Sequence, residues 1–187
     1  MNRLEKLESD VVSGECSLFR FCAEVASMFR VRAHEVAILE LNKSILQFVY
    51  PLELRKTGMI PLISSAQVAK TAMSKRAEIF NNFTSVRHSS VFETVRFSGE
   101  SSLTIQRLMS APILGPNGIV VGVIQISRKG NSSMDSGPEF DQNDLQQLRE
   151  IAKSIGRVAT KLFESEVTVP DAVATAAPEA AFGAEAT

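Results

Sequence analysis

Residues 110–129 read SAPILGPNGIVVGVIQISRK, two apolar runs on either side of Gly115-Pro116-Asn117-Gly118. Pro presets one φ, and Asn and Gly tolerate the positive φ of a tight turn, so the pair reads as a β-hairpin. Residues 119–126 are nearly continuous apolar, where a half-exposed strand would alternate with polar residues. Ile119, Val121 and Val123 are expected on one face and Val120, Ile124 and Ile126 on the other, which makes this a central strand covered on both sides. Gly122 weakens such a strand unless another group comes close to its backbone, and Gln125 and Ser127 bring polar atoms to the far end, where one face is expected to line a cavity.

After a polar loop, Phe140-Asp141-Gln142-Asn143-Asp144-Leu145 reads as a helix start. Asp141 is the N-cap, Asp144 the N3 partner of a capping box, and Phe140 packs on Leu145 as a staple. The helix runs over about 142–163. Leu148, Ile151, Ile155, Val158 and Leu162 recur at heptad-like spacing, beside a smooth ridge of Ala152, Gly156 and Ala159. One face must cover the sheet. The seam of five is the candidate surface for pairing with the N-terminal helix of the same chain or of a second one, with simple core packing of both faces as the equal alternative.

Upstream, residues 2–12 and 15–29 have helical spacing (Leu4, Leu7, Val11; Leu18, Cys22, Val25, Phe29). Strands are expected over 35–41 and 45–50 with a turn at Asn42-Lys43-Ser44, ended by Pro51. Residues 81–104 have weak periodicity and many Ser, Thr and Asn, which predicts loop with a short helical segment over 91–97. After Phe163 the chain contains no Lys or Arg and few large apolar residues, the composition of a disordered tail. The organisation read from this is a helical extension over 1–13, one domain over 14–163 and a tail over 164–187. The total of 187 residues, 44% of them hydrophobic, suits a single ordinary core. With no long apolar run and a charged start unlike a signal peptide, the reading is cytoplasmic, without membrane contact. Cys16 and Cys22, six apart in an expected helix, point to separated faces and read as two buried free thiols.

The hairpin, the Phe140/Asp144 helix start, Met59-Ile60-Pro61-Leu62, the helical stretch 65–75 and Ala77-Glu78-Ile79-Phe80-Asn81-Asn82 together resemble a GAF domain over roughly residues 14–163. The resemblance implies an α/β (α+β) fold of GAF/PAS type: a mostly antiparallel sheet of five or six strands, the N- and C-terminal helices on one face, and a ligand pocket on the other. It also implies that the segment after Ile79 wraps over the pocket. Asn81, Asn82, Arg87, His88, Arg96 and Arg107 are then candidates at its mouth and Gln125 on its floor. Between Arg55 and Arg107 lie eight Lys or Arg (55, 56, 70, 75, 76, 87, 96, 107) against three Glu (78, 93, 100), a balance of +5 in a chain of net charge −1. That favours an anionic small molecule. GAF domains often dimerise through flanking helices, so a homodimer is expected.

Some GAF domains that bind cyclic nucleotides carry N-K…F-x-x-x-D-E. Here those positions are Arg128, Lys129, Phe140, Asp144 and Leu145, and the lost Asn and Glu argue against a cyclic nucleotide. Lys129 and Asp144 remain as an expected structural ion pair. Neither cysteine lies where phytochrome-like domains attach a bilin, and neither is in the pocket region that free methionine sulfoxide reductases use for their catalytic thiols. No G-x-S-x-G elbow or phosphate-cradling glycine motif is present. With pI about 6.2, one Tyr and no Trp, direct nucleic-acid binding is not supported. The sequence therefore reads as a non-catalytic sensor that signals through a separate output protein, with a ligand-free dimeric scaffold as the alternative and a methionine sulfoxide reductase as the third choice. No metal ligand set is recognised.

Overall fold

The computed structural model describes residues 2–56, 59–85 and 103–164. Helices α1 (Arg3–Ser13) and α2 (Leu18–Phe29) precede strands β1 (Val36–Asn42), β2 (Ile45–Tyr50) and β3 (Met59–Pro61). Helix α3 (Gln67–Ser74), strands β4 (Glu78–Phe80), β5 (Thr104–Leu114) and β6 (Val120–Gly130), and helix α4 (Gln142–Glu164) complete the order. The strands form one antiparallel sheet in the order β3-β2-β1-β6-β5-β4, with β6 central as its apolar run requires.

The helices start and stop where their caps dictate. Asn2 and Glu5 form a reciprocal capping box at α1, and Ser17 accepts the Arg20 N–H at α2. At α4 the Asp141 carboxylate accepts the N–H of Asn143 and Asp144, while the Asp141 N–H donates to Asp144. Phe140 and Leu145 are buried together beside this box, as a staple demands.

Helices α1, α2 and α4 cover one sheet face and α3 the other. The five residues expected to form a dimer seam are spent inside the protein. Leu148, Ile151, Ile155 and Leu162 are at most 1% exposed and Val158 is 7% exposed, packed with Leu7 and Val11 of α1, with α2 and with β5. Heptad-like spacing marks an apolar stripe without saying what covers it, and here the sheet and the chain's own α1 do so. Glu8 binds Arg157, and Lys161 donates to the Val12 carbonyl, fastening α1 along α4. Burial pulls the Glu8 carboxyl upward, but the hydrogen bonds and charge of Arg157 outweigh it and hold it below the usual carboxylate range.

Two irregularities in β5–β6 decide which side chains face which layer. Leu114 pairs with Val120 and Ile113 with Gly122, leaving Val121 as an extra residue. This bulge corrects the simple alternation expected across 119–123. Val120 and Val123 join the α3 side, Val121, Ile124 and Ile126 pack toward the helices, and Ile119 lies outside the strand, 63% exposed. The neighbour that Gly122 accommodates is strand β1: a Cβ there would stand 2.3 Å from the Leu39 carbonyl oxygen. A second bulge leaves Gln106 unpaired between Ile105↔Lys129 and Arg107↔Arg128. Cys16 precedes the α2 cap and is not in a helix, yet both cysteines are buried in the helix-side core and neither is in a disulfide.

Candidate functional site

The α3 face of the sheet carries a small cavity at the end of β6. Gln125, Ser127 and Lys129 reach it on alternate positions of β6, opposite to Ile124, Ile126 and Arg128. Phe48, Leu54, Ile105 and Leu108 supply apolar walls, and His34 and Glu35 close the end before β1. Its volume is about 30 Å³, close to the share of liquid volume taken by one water molecule.

Gln125 donates to the Ser110 hydroxyl at 3.1 Å, which meets the Thr71 hydroxyl at 2.8 Å, and Thr71 donates to the Gln67 carbonyl at 3.0 Å. This buried chain ties the central strand to α3. Ser127 donates to the Glu35 carbonyl at 3.2 Å. The Glu35 carboxylate accepts the backbone N–H of Lys129 at 2.7 Å and of Arg32 at 2.8 Å, and the Arg32 guanidinium at 3.2 Å. Burial raises the Glu35 pKa, but these donors outweigh it and the carboxyl titrates below its ordinary range.

Of the candidates read from sequence, Gln125 lies on this floor. Asn81 does other work: its amide donates to the Phe140 carbonyl and accepts the Phe140 N–H, both at 3.0 Å, joining β4 to the start of α4. Asn82 accepts from Thr84 and Ser85 and opens a 3₁₀ turn over Phe83–Ser85. Arg107 is on the opposite face of the sheet, where it donates to the Ser133 carbonyl at 2.7 Å and to the Ser136 hydroxyl. It keeps the alternation of Met109, Ala111 and Ile113, which face the helices, whereas the unpaired Gln106 turns Ile105 to the cavity side. Arg87, His88, Arg96 and the expected helical segment 91–97 lie outside the described residues. The charge facing Asp144 is that of Arg128, one residue before Lys129, because adjacent strand residues point to opposite faces and Arg128 is on the helix side. Glu35 and Lys129 as cavity residues, and the Thr71–Ser110 link, were missed. The one available signal was the alternate polar spacing of Gln125, Ser127 and Lys129 after an apolar run.

Among the described residues no three His, Cys, Asp or Glu side chains come together as metal ligands. Both thiols lie across the sheet from the cavity, and burial pushes the Cys16 thiol up, away from the thiolate a nucleophile needs.

The six-stranded order with three helices on one face and one on the other matches solved structures over most of the chain. The fold is GAF-like. The GAF domain of an Acinetobacter phosphoenolpyruvate-protein phosphotransferase is 13% identical, with a TM-score of 0.59 over 86% of this chain and 94% of that one. A segment of a methyl-accepting chemotaxis protein is also 13% identical (TM-score 0.58; 88% and 96% covered). A free methionine-R-sulfoxide reductase from Neisseria meningitidis, solved with its substrate, is 18% identical (TM-score 0.56; 87% and 86% covered). Identities this low carry the GAF-like fold and no chemistry. No family model and no curated protein matches the chain by sequence. No helix among the described residues is long and apolar enough to cross a membrane.

Proposed function

We propose that the protein is a non-catalytic GAF sensor module that takes a small, anionic molecule on the α3 face of its sheet and passes the signal to a separate partner protein. What supports this reading is the floor of the cavity. A central strand that is apolar up to Ile124 turns the amide of Gln125, the hydroxyl of Ser127 and the Lys129 position toward a space with apolar walls. A few convergent polar groups in an apolar hollow are the usual make-up of a small-molecule site. Binding moves an equilibrium only by the ligand's differential affinity for two states, so a partner must read a state that the ligand favours. The test is native mass spectrometry of freshly purified protein against the denatured chain. The proposal expects an excess mass per subunit in wild type that is lost in Gln125→Leu; a wild-type mass equal to that of the chain, with no metabolite raising the melting temperature, refutes it.

The cavity's small size favours a second reading, an interaction scaffold with a side-chain-filled pocket. The subunit count in the same spectrum tests the homodimer that both readings expect. An enzyme of the methionine sulfoxide reductase type, known among the structural neighbours, gains no support from thiols on the far side of the sheet. Cys16→Ser/Cys22→Ser should match wild type in any sulfoxide turnover assay.

A further inference from the structure

The helix side of the same strand end holds a pair of buried arginines. Arg107 and Arg128 are directly paired across β5 and β6, and each is only 8% exposed. Neither makes an ion pair with a carboxylate among the described residues. Their polar partners are neutral: Ser133 and Ser136 for Arg107, and the Phe29 carbonyl for Arg128 at 3.1 Å. The Arg128 guanidinium also lies 4.6 Å from the centroid of the Phe140 ring. The Nε of each arginine is buried with no acceptor. Two adjacent buried cations with one unmet donor apiece are costly unless a counter-charge arrives.

Arg128 opens onto a cavity of about 690 Å³ between the end of α2 and the loop 130–138. Arg30, an exposed cation with no acceptor among the described residues, stands on its rim. The carboxylates whose charge reaches Arg128 are already engaged: Asp144 accepts the Asp141 N–H at 2.9 Å in the α4 cap, and Glu35 is held by Arg32 and the Lys129 N–H; Asp135, on the cavity rim, accepts the Ser132 hydroxyl at 2.9 Å. The loop is shaped to the guanidinium. Gly137 sits at φ 85°, and a Cβ there would be 3.3 Å from Arg128 Nη1. Its bare backbone thus leaves the arginine room beside the cavity.

We propose that this cavity is a second binding site, for a phosphate-type oxyanion, held by Arg128 and Arg30 with the charge of Arg107 behind them. It borders the sensor cavity at Glu35 and Lys129 but is built around Arg128 on the helix side of the strand, and the proposal does not rest on the sensor reading. A planar guanidinium fork and several convergent positive charges suit phosphate better than a halide.

The test is calorimetric titration of inorganic phosphate into the full chain at fixed ionic strength, with chloride as the reference. Wild type should show saturable binding that chloride does not reproduce. Arg30→Asn, chosen because Asn tolerates the left-handed conformation of that residue (φ 53°), should weaken phosphate roughly tenfold, as expected for loss of one charge-assisted contact. Arg128→Gln should abolish binding, and if it fails to fold, Arg30→Asn decides alone. Gln125→Leu, on the sensor cavity, should leave phosphate affinity unchanged. Glycerol phosphate in place of phosphate separates the sources: tighter binding points to a phosphomonoester, equal or weaker binding to the free ion. No phosphate-specific heat in wild type, or undiminished affinity in Arg30→Asn, overturns the proposal.

Discussion

Gly156 sits in the middle of α4 against the end of β5, and replacing it by Ala sets two effects of opposite sign against each other. Helix propensity alone favours Ala by about 1 kcal/mol. The structure opposes this: a Cβ at 156 would lie 2.0 Å from the Leu114 carbonyl oxygen and 2.9 Å from its carbon. Ordinary contact begins near 3.4 Å, so α4 or the hairpin end must give by about 1.4 Å. The obstacle is backbone, paired to Val120 on its other side, with no flexible side-chain tip to swing away. Overpacking of a tight interior typically costs about 1–3 kcal/mol, and a backbone-to-backbone clash belongs at or above the top of that range. The net expectation for Gly156→Ala is a loss of about 2 kcal/mol or more, a fall in melting temperature of at least roughly 4 °C for a domain of this size. Urea unfolding followed by circular dichroism reads it as a lower midpoint at unchanged slope. An increase in stability would refute the close approach of α4 to β5, because propensity would then be acting unopposed.

Asn81→Ala removes two hydrogen bonds to the Phe140 backbone and should cost about 1–3 kcal/mol by urea unfolding; Asn81→Asp, which keeps the acceptor, should cost less. Arg157→Ala breaks a largely exposed ion pair to Glu8 and should cost at most about 1 kcal/mol, shrinking further in high salt. Glu35→Gln should destabilise the protein by about 1–3 kcal/mol at neutral pH. Because the Glu35 pKa is depressed in the folded state, its contribution is present above the ordinary carboxyl pKa of 4.5 and is lost as pH falls through the lower folded value, so melting temperatures of wild type and variant should converge below about pH 4.5.

What the sequence made legible was local. The turn at 115–118, the Asp141/Asp144 box and the continuous apolar run of β6 each depend on residues within a few positions of one another, and each formed as its chemistry requires. What it hid was register and coverage. No residue type announces that Gln106 or Val121 will be left unpaired, yet the first turns Ile105 to the cavity side and the second redistributes the valines of β6. Asn81 resembled a pocket residue because an amide in a loop suits a ligand as well as it suits Phe140, 59 positions away. The α4 stripe was visible, but its cover, α1 and the sheet, was a property of the tertiary fold.

The two cavities share a wall, and this limits how either can act. Glu35 and Lys129 border both, with the Glu35 carboxylate fixed by the Lys129 N–H and by Arg32. The side chains around them are divided by the strand pleat: Gln125 and Ser127 on one side, Arg128 on the other. A charge bound on either side therefore acts on the same strand end and the same ionised carboxylate. Movement that loosened the Glu35 contacts would alter both sites together, whereas a rigid wall would leave only the weaker effect of charge across the sheet. Coupling between two ligands must be reciprocal. Phosphate should therefore change the affinity for a ligand on the α3 face by the same factor that this ligand changes phosphate affinity, and Glu35→Gln, which removes the shared charge, should bring that factor toward one.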